Sequence, residues 1–347
     1  MISTPAHTVG SVMPAADSAP PQPDSLWRAW TEPHAYAVGF RTARSALAAL
    51  LAQRGVKRVW LPAFVCAEVA AAASAGGREI VWASVDSALR IDPSIYSAAR
   101  VGDAILAIDY FGRSPDAEFR AYARSHAGPD SLWIEDRAHA LAPDAPPWGQ
   151  VLLYSPRKLV GVGDGGLLVG DAPMPLPDPV HIGDEAALWA PEDAKALDPQ
   201  GLDPSTWFPR FRQREAAFGI DHLPISPRSR EALHRVSARG VSVRRRGNYR
   251  VLLDALADYA LWPEVSPTFA PLAFPVRVKD RDTVVARLGE RGVFCARHWS
   301  ALPCPRDGFD AAWTLAGDIL SIPCDQRYDA EDMFRVIDAL KAVARPA

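Results

Sequence analysis

From Leu26 onward, short apolar runs alternate with stretches in which apolar residues recur every three or four positions. Thr42 to Arg54 reads as a helix with Ala46, Leu47, Leu50 and Leu51 on one face. A strand at Arg58–Leu61, a helix at Ala67–Ala75 and a strand at Glu79–Ala83 follow. The rhythm continues with a strand at Ala104–Ile108, a helix at Asp116–Ser125 and a strand at Leu132–Glu135. Two more apolar runs, Val151–Tyr154 and Leu167–Val169, close this part of the chain. Strands alternating with helices predict an α/β fold with a mostly parallel central sheet covered on both faces.

Residues 171–215 interrupt the pattern. Pro173, Pro175, Pro177 and Pro179 exclude regular structure there, and Pro191, Pro199, Pro204 and Pro209 extend the break, predicting a surface excursion near a functional site or a subunit contact. Helical periodicity resumes over Ser229–Ala257. A second αβ unit then reads as strand Phe274–Val278, helix Asp282–Arg291, strands Val293–Ala296 and Ile319–Ile322, and a final helix Ala330–Val343. The expected organisation is a disordered tail over 1–24, rich in Ala, Pro, Ser and Thr, a large domain over 25–240 and a smaller C-terminal α/β domain over 241–347.

Composition narrows the function. At 347 residues, with 48% hydrophobic and 23% charged, the chain has the make-up of a soluble globular protein large enough for two domains. A net charge of −3 argues against nucleic acid or an anionic membrane as partner. No run approaches a membrane span, and residues 1–24 lack a basic start followed by an apolar core, so a cytoplasmic protein is expected. Cys66, Cys295, Cys304 and Cys324 show no Cys-x-x-Cys spacing and no paired histidines, which predicts reduced thiols and no metal site.

Only five lysines occur, and Lys158 sits in the most loaded context. It follows the run Val151–Tyr154 through Ser155-Pro156-Arg157 and precedes Gly161-Val162-Gly163-Asp164-Gly165-Gly166. Upstream, Leu132-Trp133-Ile134-Glu135-Asp136 reads as a buried strand ending in two acids, with Lys158 coming 22 positions after Asp136. A strand-end carboxylate and a strand-end lysine are what a pyridoxal phosphate site needs: the amine attaches the cofactor, and the acid keeps its pyridine nitrogen protonated. Taken alone, Asp136 also reads as a helix cap, His139 as a loop histidine and Lys158 as a solvated side chain. Thr42-Ala43-Arg44-Ser45 opens the first helix with small residues, hydroxyls and a guanidinium, suited to a phosphate, although Ser and Thr are also routine caps. Ser155 is a further candidate donor to that phosphate. Gly161, Gly163 and Gly166 satisfy G-x-G-x-x-G, but Leu167–Val169 beyond them is strand rather than helix, so a dinucleotide site is rejected in favour of a turn between strands.

Taken together, these motifs resemble the DegT/DnrJ/EryC1/StrS aminotransferases, fold-type-I pyridoxal phosphate enzymes that aminate nucleotide-linked keto sugars. The likeness runs through Ala43-Arg44-Ser45-Ala46-Leu47, Leu61-Pro62-Ala63-Phe64, Asp109-Tyr110-Phe111-Gly112 and Ile134-Glu135-Asp136-Arg137-Ala138-His139. It continues through Ser155–Gly166, Phe274-Pro275-Val276, His298-Trp299 and Leu320-Ser321-Ile322-Pro323. His139 stands where the family usually has glutamine, and Cys66 where it often places a ring-stacking aromatic, leaving Phe64 or His139 to cover that face. The asparagine-bearing segment of the family is not recognisable around 219–227.

The resemblance implies the fold-type-I architecture and Lys158 as the catalytic amine. Asp136, His139, Ser155, Ala43, Arg44, Ser45, Phe64 and Cys66 would lie around pyridoxal 5'-phosphate, with His298 and Trp299 toward the substrate. It further implies glutamate as amino donor, a keto sugar as acceptor and a homodimer. Alternatives are a non-sugar carbonyl acceptor on the same fold, or a non-catalytic protein of that fold.

Overall fold

The structure, a computed structural model, describes residues 7–142, 145–179, 184–264 and 268–347. Its strands are β1 (Val9–Gly10), β2 (Tyr36–Phe40), β3 (Arg58–Pro62), β4 (Glu79–Ala83), β5 (Asp103–Ile108) and β6 (Ser131–Asp136). They continue as β7 (Val151–Tyr154), β8 (Gly166–Gly170), β9 (Phe274–Arg277), β10 (Val293–Phe294) and β11 (Ile319–Ile322). The helices are α1 (Leu26–Thr31), α2 (Ala43–Gln53), α3 (Ala67–Ser74), α4 (Ala117–His126), α5 (Glu185–Leu197) and α6 (Phe208–Ala217). After them come α7 (Pro227–Arg235), α8 (Ala238–Leu256), α9 (Arg281–Gly289), α10 (Asp310–Asp318) and α11 (Ala330–Val343).

A seven-stranded sheet in the order β2-β8-β7-β6-β5-β3-β4 forms the main body. β7, β6, β5, β3 and β4 run parallel, while β8 is antiparallel to both of its neighbours. Strands β3, β5, β7 and β8 are buried along their whole length, because helices cover both faces and leave no wet side to accept polar residues. α2 starts where Thr42 turns its hydroxyl to the Ser45 N–H, and it buries Ala46, Leu47, Leu50 and Leu51 as the periodicity predicts. A second core gathers Tyr249 and Leu252 of α8, Phe274 and Val276 of β9, Leu320 and Ile322 of β11, and Met333 and Val336 of α11. There β9 and β11 pair antiparallel.

Four expectations are corrected. Residues 7–24 are not a loose tail: β1 pairs with β10, Arg327 reaches the Val12 carbonyl, and the Ala16 N–H donates to the Gly161 carbonyl at 2.9 Å. Residues 1–6 lie outside the described residues. The proline-rich 171–215 stretch is irregular only in part, with residues 180–183 outside the described set. α5 carries Pro191 within it, where burial of Leu188 and Trp189 outweighs the cost of about 3 kcal/mol for an internal proline. Pro209 falls in the first turn of α6, where its missing N–H has no helical partner to lose. The helical span 229–257 is two helices, because Ser237 caps the Gly240 N–H and restarts the chain as α8. β2 and α10, which periodicity did not flag, complete the sheet edge and the C-terminal body.

Candidate active site

Because β3, β5, β6 and β7 are parallel, the chain leaves all four at one edge of the sheet, where α/β folds place their ligands. Asp136 is the last residue of β6, opposite Ile108 of β5 and Leu153 of β7. It is 2% exposed, and its Oδ1 accepts the Ala138 N–H at 2.8 Å. Burial pushes its carboxyl above the ordinary range, opposed by the positive charge of Lys158 and by that N–H. Strand alternation turns Glu135 the other way, where it binds Arg137 Nε at 2.6 Å and the N–H groups of Trp148 and Gly149 at 2.7 and 3.0 Å. Arg137 also donates to the Tyr154 hydroxyl at 3.0 Å and lies 3.7 Å from Asp109, so a buried ionic network braces the strand end from behind. Burial, reinforced by Glu135, raises the Asp109 carboxyl well above its usual range.

Lys158 ends a single 3-10 turn, Pro156–Lys158, directly after β7. It is partly buried, and its Nζ lies 3.2 Å from His139 Nε2. Burial depresses the His139 pKa well below the ordinary value, helped by Lys158 and His298, so the ring is neutral and its Nε2 is placed to accept from the Lys158 amine. His139 Nδ1 is buried with no hydrogen-bond partner among the described residues. Its ring faces Trp299 at 5.4 Å with 29° between the planes, and meets His298 and Phe111 at 5.3 and 5.8 Å. Phe64 closes the box, 5.3 Å from Trp299, and its carbonyl accepts from the Tyr110 hydroxyl. His298 Nδ1 is held 2.7 Å from Ser321 Oγ; burial, with Lys158 beside it, brings its pKa down to about 3. Cys66 is buried against the same cluster, its thiol pushed up by desolvation and drawn down by Lys158. Phe111 takes a positive φ of 53°, and such strain at a strand end is characteristic of functional sites.

The start of α2 is brought to this cluster by the glycines after Lys158. Gly165 bridges Thr42, and a Cβ on Gly166 would lie 2.2 Å from the Ala43 nitrogen, so only glycine permits that approach. Ser45 is fully buried. Its Oγ accepts from the Thr42 hydroxyl at 2.9 Å and from the Asp221 N–H at 3.1 Å, and lies 3.4 Å from Asp221 Oδ1. Arg41 pairs with the same carboxylate. Arg44 donates to the Phe218 carbonyl at 3.0 Å, and Ser155 is buried at the end of β7.

The predicted residues thus fall into two groups, with Ser155 after β7 beside them: Asp136, His139, Lys158, Phe64, Cys66, His298 and Trp299 around the amine, and Ala43, Arg44 and Ser45 at the helix start. Sequence reasoning missed Asp221, which has no local motif, and the Arg137 network, which adjacency to Asp136 could have flagged. Among the described residues no cluster of His, Cys, Asp and Glu is arranged to hold a metal, and no helix is long and apolar enough to cross a membrane.

No family model matches the chain, and no curated protein matches it. Solved structures do. DesV from S. venezuelae, in complex with a ketimine intermediate, is 22% identical with a TM-score of 0.65, over 91% of this chain and 86% of that one. The sugar aminotransferase CalS13 from Micromonospora echinospora is 19% identical with a TM-score of 0.66, over 99% of this chain and 100% of its own. Spr1654 from Streptococcus pneumoniae, in its PLP form, is 14% identical with a TM-score of 0.68, over 98% of each chain. The chain therefore has the fold-type-I architecture that the sequence resemblance implied, with its central, mostly parallel sheet.

Proposed function

We propose that the protein is a pyridoxal-phosphate-dependent aminotransferase of the DegT/DnrJ/EryC1/StrS type, transferring an amino group to a keto sugar. The observation that carries this reading is the pairing of buried Asp136 with Lys158 at the ends of adjacent strands, the amine 3.2 Å from His139 in an aromatic box. The donor set suits the cofactor's ring. Lys158 supplies the attaching amine, Asp136 a carboxylate for the pyridine nitrogen, and His139 Nδ1 a buried polar atom that still needs a partner. Ser45, Arg44 and the start of α2 would take the phosphate, with Ser155 nearby in sequence to the amine.

When bound, pyridoxal phosphate supplies an electron sink for the substrate carbon. The chain does the rest. Lys158 Nζ would hold the cofactor and move a proton to and from the reacting carbon. Asp136, whose carboxyl pKa is raised by burial and lowered by Lys158, would face the pyridine nitrogen and favour its protonated form. Neutral His139 and His298 line the site without adding positive charge that would compete with it. Phe64, Phe111 and Trp299 exclude water. Glutamate as donor, a nucleotide-linked sugar as acceptor, a homodimer and a cytoplasmic setting complete the reading, on the resemblance alone.

The test is borohydride reduction of the purified protein with pyridoxal phosphate, followed by peptide mass spectrometry. A pyridoxyl adduct on Lys158, and a cofactor absorbance bleached by glutamate and restored by a keto sugar, are the expected outcome. An unlabelled Lys158 overturns the reading; restoration by non-sugar carbonyls alone overturns the choice of acceptor.

A further inference from the structure

Arg245 of α8 is among the largest fully buried side chains, and among the described residues it makes no ion pair, the Asp325 charge acting on it without a hydrogen bond. Its Nη1 donates to the carbonyls of Pro271 and Leu272 at 2.8 and 3.0 Å. Its Nε donates to Gln326 Oε1 at 2.7 Å, and its Nη2 to the Leu159 carbonyl at 2.8 Å. That bond settles the orientation of the Gln326 amide, whose Nε2 then faces the same Leu159 carbonyl at 3.1 Å. Two donors from the C-terminal part of the chain therefore converge on the carbonyl of Leu159, the residue that follows Lys158. Leu272 in turn donates its N–H to the carbonyl of Phe111, whose ring packs on His139 and His298.

A buried guanidinium satisfied by carbonyls costs more to desolvate than a well-packed apolar side chain of its size. What a methionine could not do is fix, with one planar fork, the lysine turn and the 271–272 segment in a single geometry. We propose that Arg245 and Gln326 are positioning residues that set the Lys158 amine by gripping the Leu159 carbonyl, so that the C-terminal body orients the reacting lysine of the main sheet. This rests on the reading of Lys158 as the cofactor-attaching residue.

The experiment uses Gln326→Leu, which removes one donor to Leu159 and the acceptor for Arg245 Nε, and Arg245→Lys, which keeps the charge and loses the fork. Three quantities are measured for each variant and the unaltered protein: the pyridoxal phosphate dissociation constant, the apparent pKa of the bound cofactor's absorbance band, and the melting temperature of cofactor-stripped protein. Gln326→Leu leaves the buried Arg245 Nε without its acceptor, so some loss of stability accompanies it and the two cofactor readouts decide. The expected result is a dissociation constant raised about tenfold, as for the loss of one hydrogen bond to a charged network. The band's pKa should move as well, alongside any fall in the stripped protein's melting temperature. A lowered melting temperature with unchanged dissociation constant and band pKa overturns the proposal, since a merely structural role moves only the first. If the unaltered protein forms no adduct at Lys158, the functional reading fails and this inference with it. If it forms one and both variants match it, only the inference fails.

Discussion

The two ends of the candidate site are built on different principles. At the ring end, Asp136, His139 and Lys158 come from the ends of neighbouring parallel strands, and the sheet's register sets their spacing. Burial dominates the titration of Asp136, His139 and His298 there. At the other end, α2 begins with Ser45 hydrogen-bonded to Asp221, a residue 176 positions away, and Arg41 paired with that same carboxylate. An anion of the chain's own thus already sits where a phosphate is expected. A rigid scaffold can prebuild a ring site, whereas a helix N-terminus attracts whichever anion is nearest.

The comparison breaks most sharply at Lys158. Lys158→Ala should lower amine transfer by about a thousandfold or more while leaving the circular dichroism unchanged, measured by coupled glutamate turnover. Retained turnover would mean that the ring end has been misread. Asp136→Asn comes next. With no carboxylate at the pyridine nitrogen, kcat should drop about a hundredfold with cofactor still attached, seen by assay beside absorbance.

His298→Asn tests how dry the ring end is. In the folded protein His298 stays neutral down to about pH 3, whereas in the unfolded chain it takes up a proton near pH 6.5. Its contribution is therefore intact above pH 6.5 and is lost as pH falls from there toward 3. Urea unfolding at pH 7.5 and pH 5 should show the unaltered protein losing about 1–2 kcal/mol more than the variant, the lower figure allowing for partial exposure of the ring. Equal losses would place the imidazole in water.

The smallest effect belongs to the phosphate end. Asp221→Asn removes the resident negative charge from Ser45 and Arg41, so pyridoxal phosphate should bind about three- to tenfold tighter. Pyridoxal, which lacks the phosphate, should bind unchanged. Weaker binding of the phosphate form would show that Asp221 supports the site instead of opposing an anion there.

Much of the ring end was legible in the chain because its cues are local. A buried strand ending in Asp136 and an apolar run leading to Lys158 through a Pro- and Gly-flanked turn can both be recognised without knowing where either strand lies. The strands Glu79–Ala83, Val151–Tyr154 and Ile319–Ile322 and the helix Ala330–Val343 match their expected bounds for the same reason. Where the reading failed, the deciding contacts were remote. A composition rich in Ala, Pro, Ser and Thr reads as a tail over 1–24, but backbone pairing with β10 and the hold of Arg327 order residues 7–24. Prolines argued against a helix at 185–197, and packing of Trp189 against the rest of the molecule overrode them.

By itself, then, the sequence determined the alternation of strand and helix, the α/β class, and which acid and which amine stand at strand ends, since each depends on periodicity within a dozen residues. Tertiary structure alone decided that Trp299 faces His139, that Asp221 lies on Ser45, and that Arg245 and Gln326 grip the Leu159 carbonyl beside Lys158. Those pairings join residues scores of positions apart, and their energy comes from burial and directional hydrogen bonds that exist only once the sheet has closed.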